Sequence, residues 1–246
     1  MKTINLDEKW TFRRGYLDSV GMLSEDPGMV VNLPHDGMIG TPVTPDAPAK
    51  SDSGYFVGGL TNYTKFVFLP EEWKNDCVGL AFDGAMMNAT IDINGGRVGL
   101  QNYGYVPFYV DLTPYVTFGE ENRITVNLNT ATQPNSRWYT GSGLFRGVKL
   151  CHGPRVHIVT DGIFVHTKEV ADGYTFLEAQ VEVENATLEN RMAEVSVHIS
   201  EDGKEAILTE TKRVIHINSG RRETARIALN LENPKLWDAE HPNLYQ

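Results

Sequence analysis

Apolar and polar positions alternate with period two along most of the chain, and stretches with the 3.6-residue period of a helix are almost absent. Ala89, Ile91 and Ile93 interleave with Thr90, Asp92 and Asn94, and Asn94-Gly95 then supplies a hairpin turn signal. Phe108, Val110 and Leu112 alternate with Tyr109, Asp111 and Thr113, and Ile124, Val126 and Leu128 repeat the pattern. Each run turns one apolar face to a core and one polar face to water, as antiparallel sheet requires. The pattern predicts an all-β chain.

The texture changes after Gly153-Pro154, where aromatics and glycines thin out. Short strands are expected at Ile163–Val165, Phe176–Val183, Val195–Ile199, Val214–Ile217 and Ala225–Leu231, with Asp202-Gly203 as one of the turns between them. Strands at this spacing suggest an immunoglobulin-like sandwich, although the tryptophan–cysteine pairing of antibody domains is missing. Two domains follow, residues 1–154 and 155–246. The stretch from His35 to Gly59 resists a strand reading, since Pro42, Pro45, Pro48 and five glycines break it. A loop of that length is usually functional or disordered.

Composition narrows the partners. A formal charge of −10 repels phosphate backbones and anionic lipid, so neither nucleic acid nor a membrane is an expected partner. No apolar run approaches the roughly 18 residues of a membrane helix. Met1–Asp7 lacks the apolar core of a signal peptide, and Cys77 and Cys151 are too few for a disulfide framework. A cytoplasmic location is therefore expected, and the Asn-x-Thr sequons at Asn62, Asn88 and Asn185 are read as chance.

Candidate chemistry concentrates in Asn135–Arg146. Arg137, Trp138 and Tyr139 set a hydrogen-bonding fork beside two aromatic faces, which suits a sugar with its apolar C–H face and hydroxyl rim. An aromatic loop that simply closes a sandwich accounts for the same residues. Gly141-Ser142-Gly143 fails as a dinucleotide fingerprint, because Arg146 stands where the third glycine belongs, and Tyr139-Thr140 breaks a nucleophile elbow. Cys151-His152 has no second pair to complete a metal site, and His198 and His216 fall on outward strand positions. Glycoside hydrolysis needs two carboxyl groups about 5–10 Å apart across the bond. The acids here, such as Glu71-Glu72, Glu120-Glu121 and Glu201-Asp202, sit in turns, so no catalytic residue, metal or cofactor is assigned.

Taken in order, the motifs resemble the N-terminal part of glycoside hydrolase family 2, most closely its bacterial β-galactosidases. Leu6–Arg13 with Trp10 and Phe12, then Asn32-Leu33-Pro34-His35-Asp36, open the likeness. Gly58-Gly59 through Tyr63-Thr64-Lys65-Phe66, Leu69-Pro70 with Trp73, Ile93-Asn94-Gly95 with Val98-Gly99, and Tyr105–Leu112 continue it. Arg137–Arg146 is the strongest single match, and Leu236-Trp237, His241-Pro242 and Leu244-Tyr245 close the series. Gly37-Met38-Ile39 stands where many members carry an aromatic, a small-residue version that shifts the subgroup.

The resemblance implies a jelly-roll sugar-binding domain, then an immunoglobulin-like sandwich cut short of its last strand or hairpin, with a catalytic (β/α)₈ barrel to follow. The family's acid/base glutamate follows an asparagine in that barrel, and this chain holds no Asn-Glu dipeptide. The chain is thus expected to be inactive alone, as the accessory part of a retaining β-galactosidase, with a β-glucuronidase or β-mannosidase parent as the rival. Arg137, Trp138, Tyr139 and Asp36 are the candidate sugar or active-site-entrance residues; His35 and Arg146 are structural, Arg146 clamping the jelly roll onto the barrel. The implied partners are a β-galactoside-type carbohydrate, the barrel of the same polypeptide and, as a further option, a second copy of the chain. An open sheet edge near Gln246 is expected to need cover. A free-standing lectin-like module and a purely structural interface module are the readings from other classes.

Overall fold

The computed structural model describes residues 1–15, 28–131, 141–171 and 173–246. They form two compact units, Met1–Gly153 and Pro154–Gln246. The all-β expectation is borne out: beside fifteen strands, the described residues hold only two short 3₁₀ turns, Lys50–Ser53 and Glu71–Asn75. No helix among the described residues is long and apolar enough to cross a membrane.

In the first unit, β1 (Lys2–Asn5), β2 (Trp10–Arg14), β3 (Met29–Val31), β4 (Leu60–Leu69) and β5 (Asp76–Phe82) precede β6 (Ala89–Ile93) and β7 (Gly96–Gln101). β8 (Phe108–Asp111), β9 (Glu120–Asn129) and β10 (Val148–Pro154) complete it. One sheet runs β1-β10-β5-β8 and the other β3-β2-β4-β9-β6-β7. This is the jelly-roll sandwich. Its longest ladder pairs β4 with β9 from Leu60↔Asn129 to Leu69↔Glu120 without a break. Period-two alternation decides the faces: Ala89, Ile91, Ile93, Ile124, Val126 and Leu128 all point into the core. The β6–β7 hairpin turns on Asn94-Gly95, both at positive φ (51° and 90°) as a two-residue turn of this hand demands.

Trp10 is fully buried at the centre of this core, and its indole N–H donates to the Leu6 carbonyl at 2.7 Å. The buried ring therefore leaves no polar atom unmatched.

The second unit comprises β11 (Val156–Ala171), β12 (Tyr174–Asn185), β13 (Arg191–Ser200), β14 (Ile207–Ile217) and β15 (Arg221–Glu232). Its sheets, β11-β12-β15 and β13-β14, are the layers of an immunoglobulin-like sandwich. Their inward residues, among them Val181, Val183, Ile217, Ile227 and Leu229, form a separate core. The five expected strands are all present, four longer at both ends and β14 longer only at its start, and His198 and His216 are exposed. At the end of β13, Ser200 exchanges both backbone hydrogen bonds with Gln246, each 2.9 Å. The last residues thus lie against the end of β13.

Asn62 and Asn185 are buried, with their amides bonded to Asn127 and to the Ile217 carbonyl. These bonds leave neither side-chain amide open to N-linked attachment in the folded chain.

Candidate functional site

The chain leaves β3 through Leu33-Pro34 and lays His35–Gly37 beside the Gly141–Leu144 strip. His35 N–H donates to the Leu144 carbonyl at 2.8 Å and Gly37 N–H to the Ser142 carbonyl at 2.7 Å. On its other side the strip exchanges bonds with Met86: Gly143 N–H donates to the Met86 carbonyl at 2.9 Å and receives the reverse bond at 3.0 Å.

This sandwiching explains Gly141-Ser142-Gly143. A Cβ on Gly143 would run into the His35 carbonyl and the Tyr63 hydroxyl, and Gly141 is at φ +77° with Asp36 Oδ2 2.5 Å from where its Cβ would stand. The glycines serve close backbone approach and a left-handed turn. Ser142 is 1% exposed, and its Oγ receives the Thr130 hydroxyl at 3.0 Å. It is a buried fastening.

Asp36 works as a second fastening. Its Oδ1 accepts the N–H of Met38 at 2.7 Å, closing an Asx turn, and the N–H of Ser142 at 3.1 Å. Arg14 straps the loop from within the sheet, donating through Nη1 to the Gly37 carbonyl (2.6 Å) and through Nη2 to the Val57 carbonyl (2.9 Å). Gly59 at the far end exchanges bonds with Thr130. The long loop is therefore tied at its entry, its exit and across its neck.

His35 stands at the root. Its Nδ1 lies 2.7 Å from the Tyr63 hydroxyl, and its ring packs edge-on against Phe12 with centroids 4.6 Å apart. Burial lowers the His35 pKa, opposed in part by the Asp36 carboxylate. Burial also pushes the Tyr63 phenol far above its ordinary range, so the hydroxyl stays protonated; it also donates to the His35 carbonyl at 3.3 Å. Arg146 Nη1 donates to the carbonyls of Asp83 and Tyr105, both at 3.1 Å, while its guanidinium lies 5.1 Å from the Phe145 ring centroid.

Of the sequence candidates, the structure thus brings His35, Asp36 and the Gly141–Leu144 strip into one network, with Arg146 close by on the same strip. Arg137, Trp138 and Tyr139 lie outside the described residues. Cys151 and Cys77 are buried thiols, and His152 stacks on Trp73 at 3.7 Å with Nδ1 3.0 Å from an Asp76 carboxylate oxygen. Among the described residues no group of three metal-binding side chains converges.

A hollow of about 620 Å³ escaped the sequence reading. It lies over the outer face of the β2-β4-β9-β6-β7 strands and is lined by Thr11, Arg13, Thr64, Asp92, Arg97 and Arg123 among others. In sequence these residues are indistinguishable from solvated strand positions, because only the strand order makes them neighbours.

Comparison with known proteins gives this architecture its family. Residues 33–154 match the model described as "Glycosyl hydrolases family 2, sugar binding domain", and residues 156–246 match "Glycosyl hydrolases family 2". The chain belongs to glycosyl hydrolase family 2. Among its relatives in that family is the beta-galactosidase BoGH2A of Bacteroides ovatus, 30% identical over 243 residues, covering 96% of this chain and 28% of that protein. A putative beta-glucuronidase of Formosa agariphila is 28% identical over 226 residues, covering 91% of this chain and 21% of that protein. A solved family 2 member from Bacteroides cellulosilyticus superposes with a TM-score of 0.90 at 30% identity, over 100% of this chain and 32% of that one. The chain therefore spans less than a third of the length of these family 2 relatives.

Proposed function

We propose that these two domains are the non-catalytic N-terminal part of a retaining β-glycosidase that acts on β-galactosides. The match of both family 2 regions, in order, together with a likeness to under a third of the length of a longer beta-galactosidase, carries this reading. In such an enzyme two carboxyl groups about 5–5.5 Å apart perform a double displacement, one as nucleophile and one as acid/base, without a cofactor. The first domain would contribute to the entrance of that site through the loop Asp36–Gly59 and through Arg137, Trp138 and Tyr139. The fastenings at His35, Asp36 and Ser142 would give that entrance a fixed shape. Fixed geometry favours substrate positioning, because a loosely held wall loses orientation.

A β-glucuronidase parent is the second reading, supported by the glucuronidase names among the relatives. The test is hydrolysis of nitrophenyl β-galactoside, β-glucuronide and β-mannoside by the full-length gene product beside the 246-residue chain. Cleavage of the galactoside by the long form alone is the expected result. Preferential cleavage of the glucuronide would move the substrate class, and turnover by the 246-residue chain would overturn its accessory role.

A further inference from the structure

We infer that the outer face of the six-stranded sheet is a glycan-binding groove of its own, selective for an acidic, uronate-bearing oligosaccharide. It does not rest on which bond the full-length enzyme cleaves.

The register assembles the face. Thr11 pairs with Thr64, Thr64 with Thr125, Thr125 with Asp92 and Asp92 with Arg97, one row of side chains across five strands. The adjoining row brings Arg13, Asn62, Asn127 and Thr90 side by side. Phe66 pairs with Arg123 on the opposite flank. The hollow of about 620 Å³ over these rows has the size of a ligand site. A second hollow of about 330 Å³ shares Asn62, Arg97 and Asn127 with it and runs on to Leu100. Two connected hollows suit an extended chain better than a single ring.

The polar groups are already held in place. Asn62 donates to Asn127 at 2.7 Å, Asn127 to Asp92 at 3.0 Å, and Arg97 Nε to the other Asp92 oxygen at 2.9 Å. Asp92 is thereby neutralised within the wall, and Arg97 keeps its two terminal nitrogens for a ligand. The Arg123 guanidinium has no hydrogen-bond or ion-pair partner among the described residues. Strand spacings place the backbones of Arg97 and Arg123 about 12 Å apart.

Charge selects the occupant. The chain carries −10 overall, yet this groove sets Arg97 and Arg123 beside one carboxylate, Asp92, among the described lining residues. Planar guanidinium forks match carboxylates bidentately. Phe66, 60% exposed at the edge of the hollow, offers an apolar face for a pyranose ring. Thr11 and Thr125, both partly exposed, line the floor and carry hydroxyls that suit those of a sugar. A cluster of cations, amides, hydroxyls and one aromatic face fits an acidic sugar chain; an apolar peptide would leave these polar groups unmatched.

Calorimetric titration of the 246-residue chain with oligogalacturonate at low salt is the test, beside a neutral β-galactan oligosaccharide and a sulfated galactan. Oligogalacturonate is expected to bind, to weaken as salt rises, and to be preferred over both other glycans. Arg123→Ala, which removes an unpartnered side chain, should weaken it about tenfold, the value of one charge-assisted bond. Arg97→Ala should weaken it comparably, and Arg123→Lys should retain part of the affinity. Absence of binding by the chain, or affinity unmoved by both alanine variants, would overturn the inference, as would preference for the neutral or sulfated glycan. Neither variant touches the entrance, so cleavage of nitrophenyl glycosides by the full-length product should stay unchanged. Failure of the groove therefore leaves the proposed function standing.

Discussion

His35 and Tyr63 illustrate how a single buried contact governs the root of the long loop. Tyr63 is fully buried, and its hydroxyl is the partner of His35 Nδ1 at 2.7 Å. Tyr63→Phe leaves that nitrogen unpaired in a half-buried site, and should destabilise the first domain by about 1–2 kcal/mol in urea unfolding. An unchanged midpoint would show that water replaces the hydroxyl at no cost. The imidazole also sets a pH dependence. Burial lowers its folded-state pKa below 6.5, with the Asp36 carboxylate opposing, while the unfolded histidine titrates near 6.5. Protons therefore bind the unfolded chain first. The contribution of neutral His35 is complete above pH 6.5 and is lost as the pH falls through the folded-state value. His35→Gln should flatten the decline in stability below pH 6.5; equal slopes in the two proteins would refute this account.

At the scale of an element, the Asp36–Gly59 loop is held by a few bonds at its neck while its interior makes its own turns. Thr44 N–H reaches the Tyr55 carbonyl at 3.1 Å, and the Ser53 hydroxyl bonds the Phe56 carbonyl at 3.0 Å. Asp36→Ala removes the acceptor for both Met38 and Ser142, so the loop should loosen although the sandwich remains folded. Limited proteolysis between residues 37 and 58 should then quicken several-fold, in line with a lost opening cost of about 1–3 kcal/mol. Digestion at the wild-type rate would mean that Arg14 and Thr130 suffice. Substitution at Gly143 is a harsher test of the same neighbourhood. Alanine there meets backbone on one side and the Tyr63 hydroxyl oxygen on the other, and should cost more than any single bond in the network.

Over the whole molecule, two separate cores are the main energetic fact. One gathers Trp10, Tyr63, Phe82 and Leu144, the other Val181, Ile217, Ile227 and Leu229, and each is closed by residues of its own unit. A fragment of residues 1–155 should therefore unfold cooperatively by itself, with Trp10 buried as in the longer chain. Trp10→Ala in that fragment should cost about 3–5 kcal/mol. A fragment with broad, non-cooperative unfolding would show that the second unit is needed to complete the first.

The sequence by itself determined β6, β8 and β9 with the faces they bury, the positions of the five strands of the second unit, and the change of texture near Gly153. Period-two alternation is a local property, and side-chain direction follows from it without any knowledge of neighbours. Asn94-Gly95 and Asp202-Gly203 were legible for the same reason, since backbone conformation at a turn depends on the turn residues themselves. The motif around Gly141-Ser142-Gly143 was visible, but its purpose was not. Only the tertiary structure shows that the glycines admit the His35 backbone and the Asp36 carboxylate, residues more than a hundred positions earlier. The row from Thr11 to Arg97 is equally invisible in the linear order, because it exists only once β2, β4, β9, β6 and β7 stand side by side. Local chemistry fixes what each strand presents, whereas strand order decides which chemistries meet.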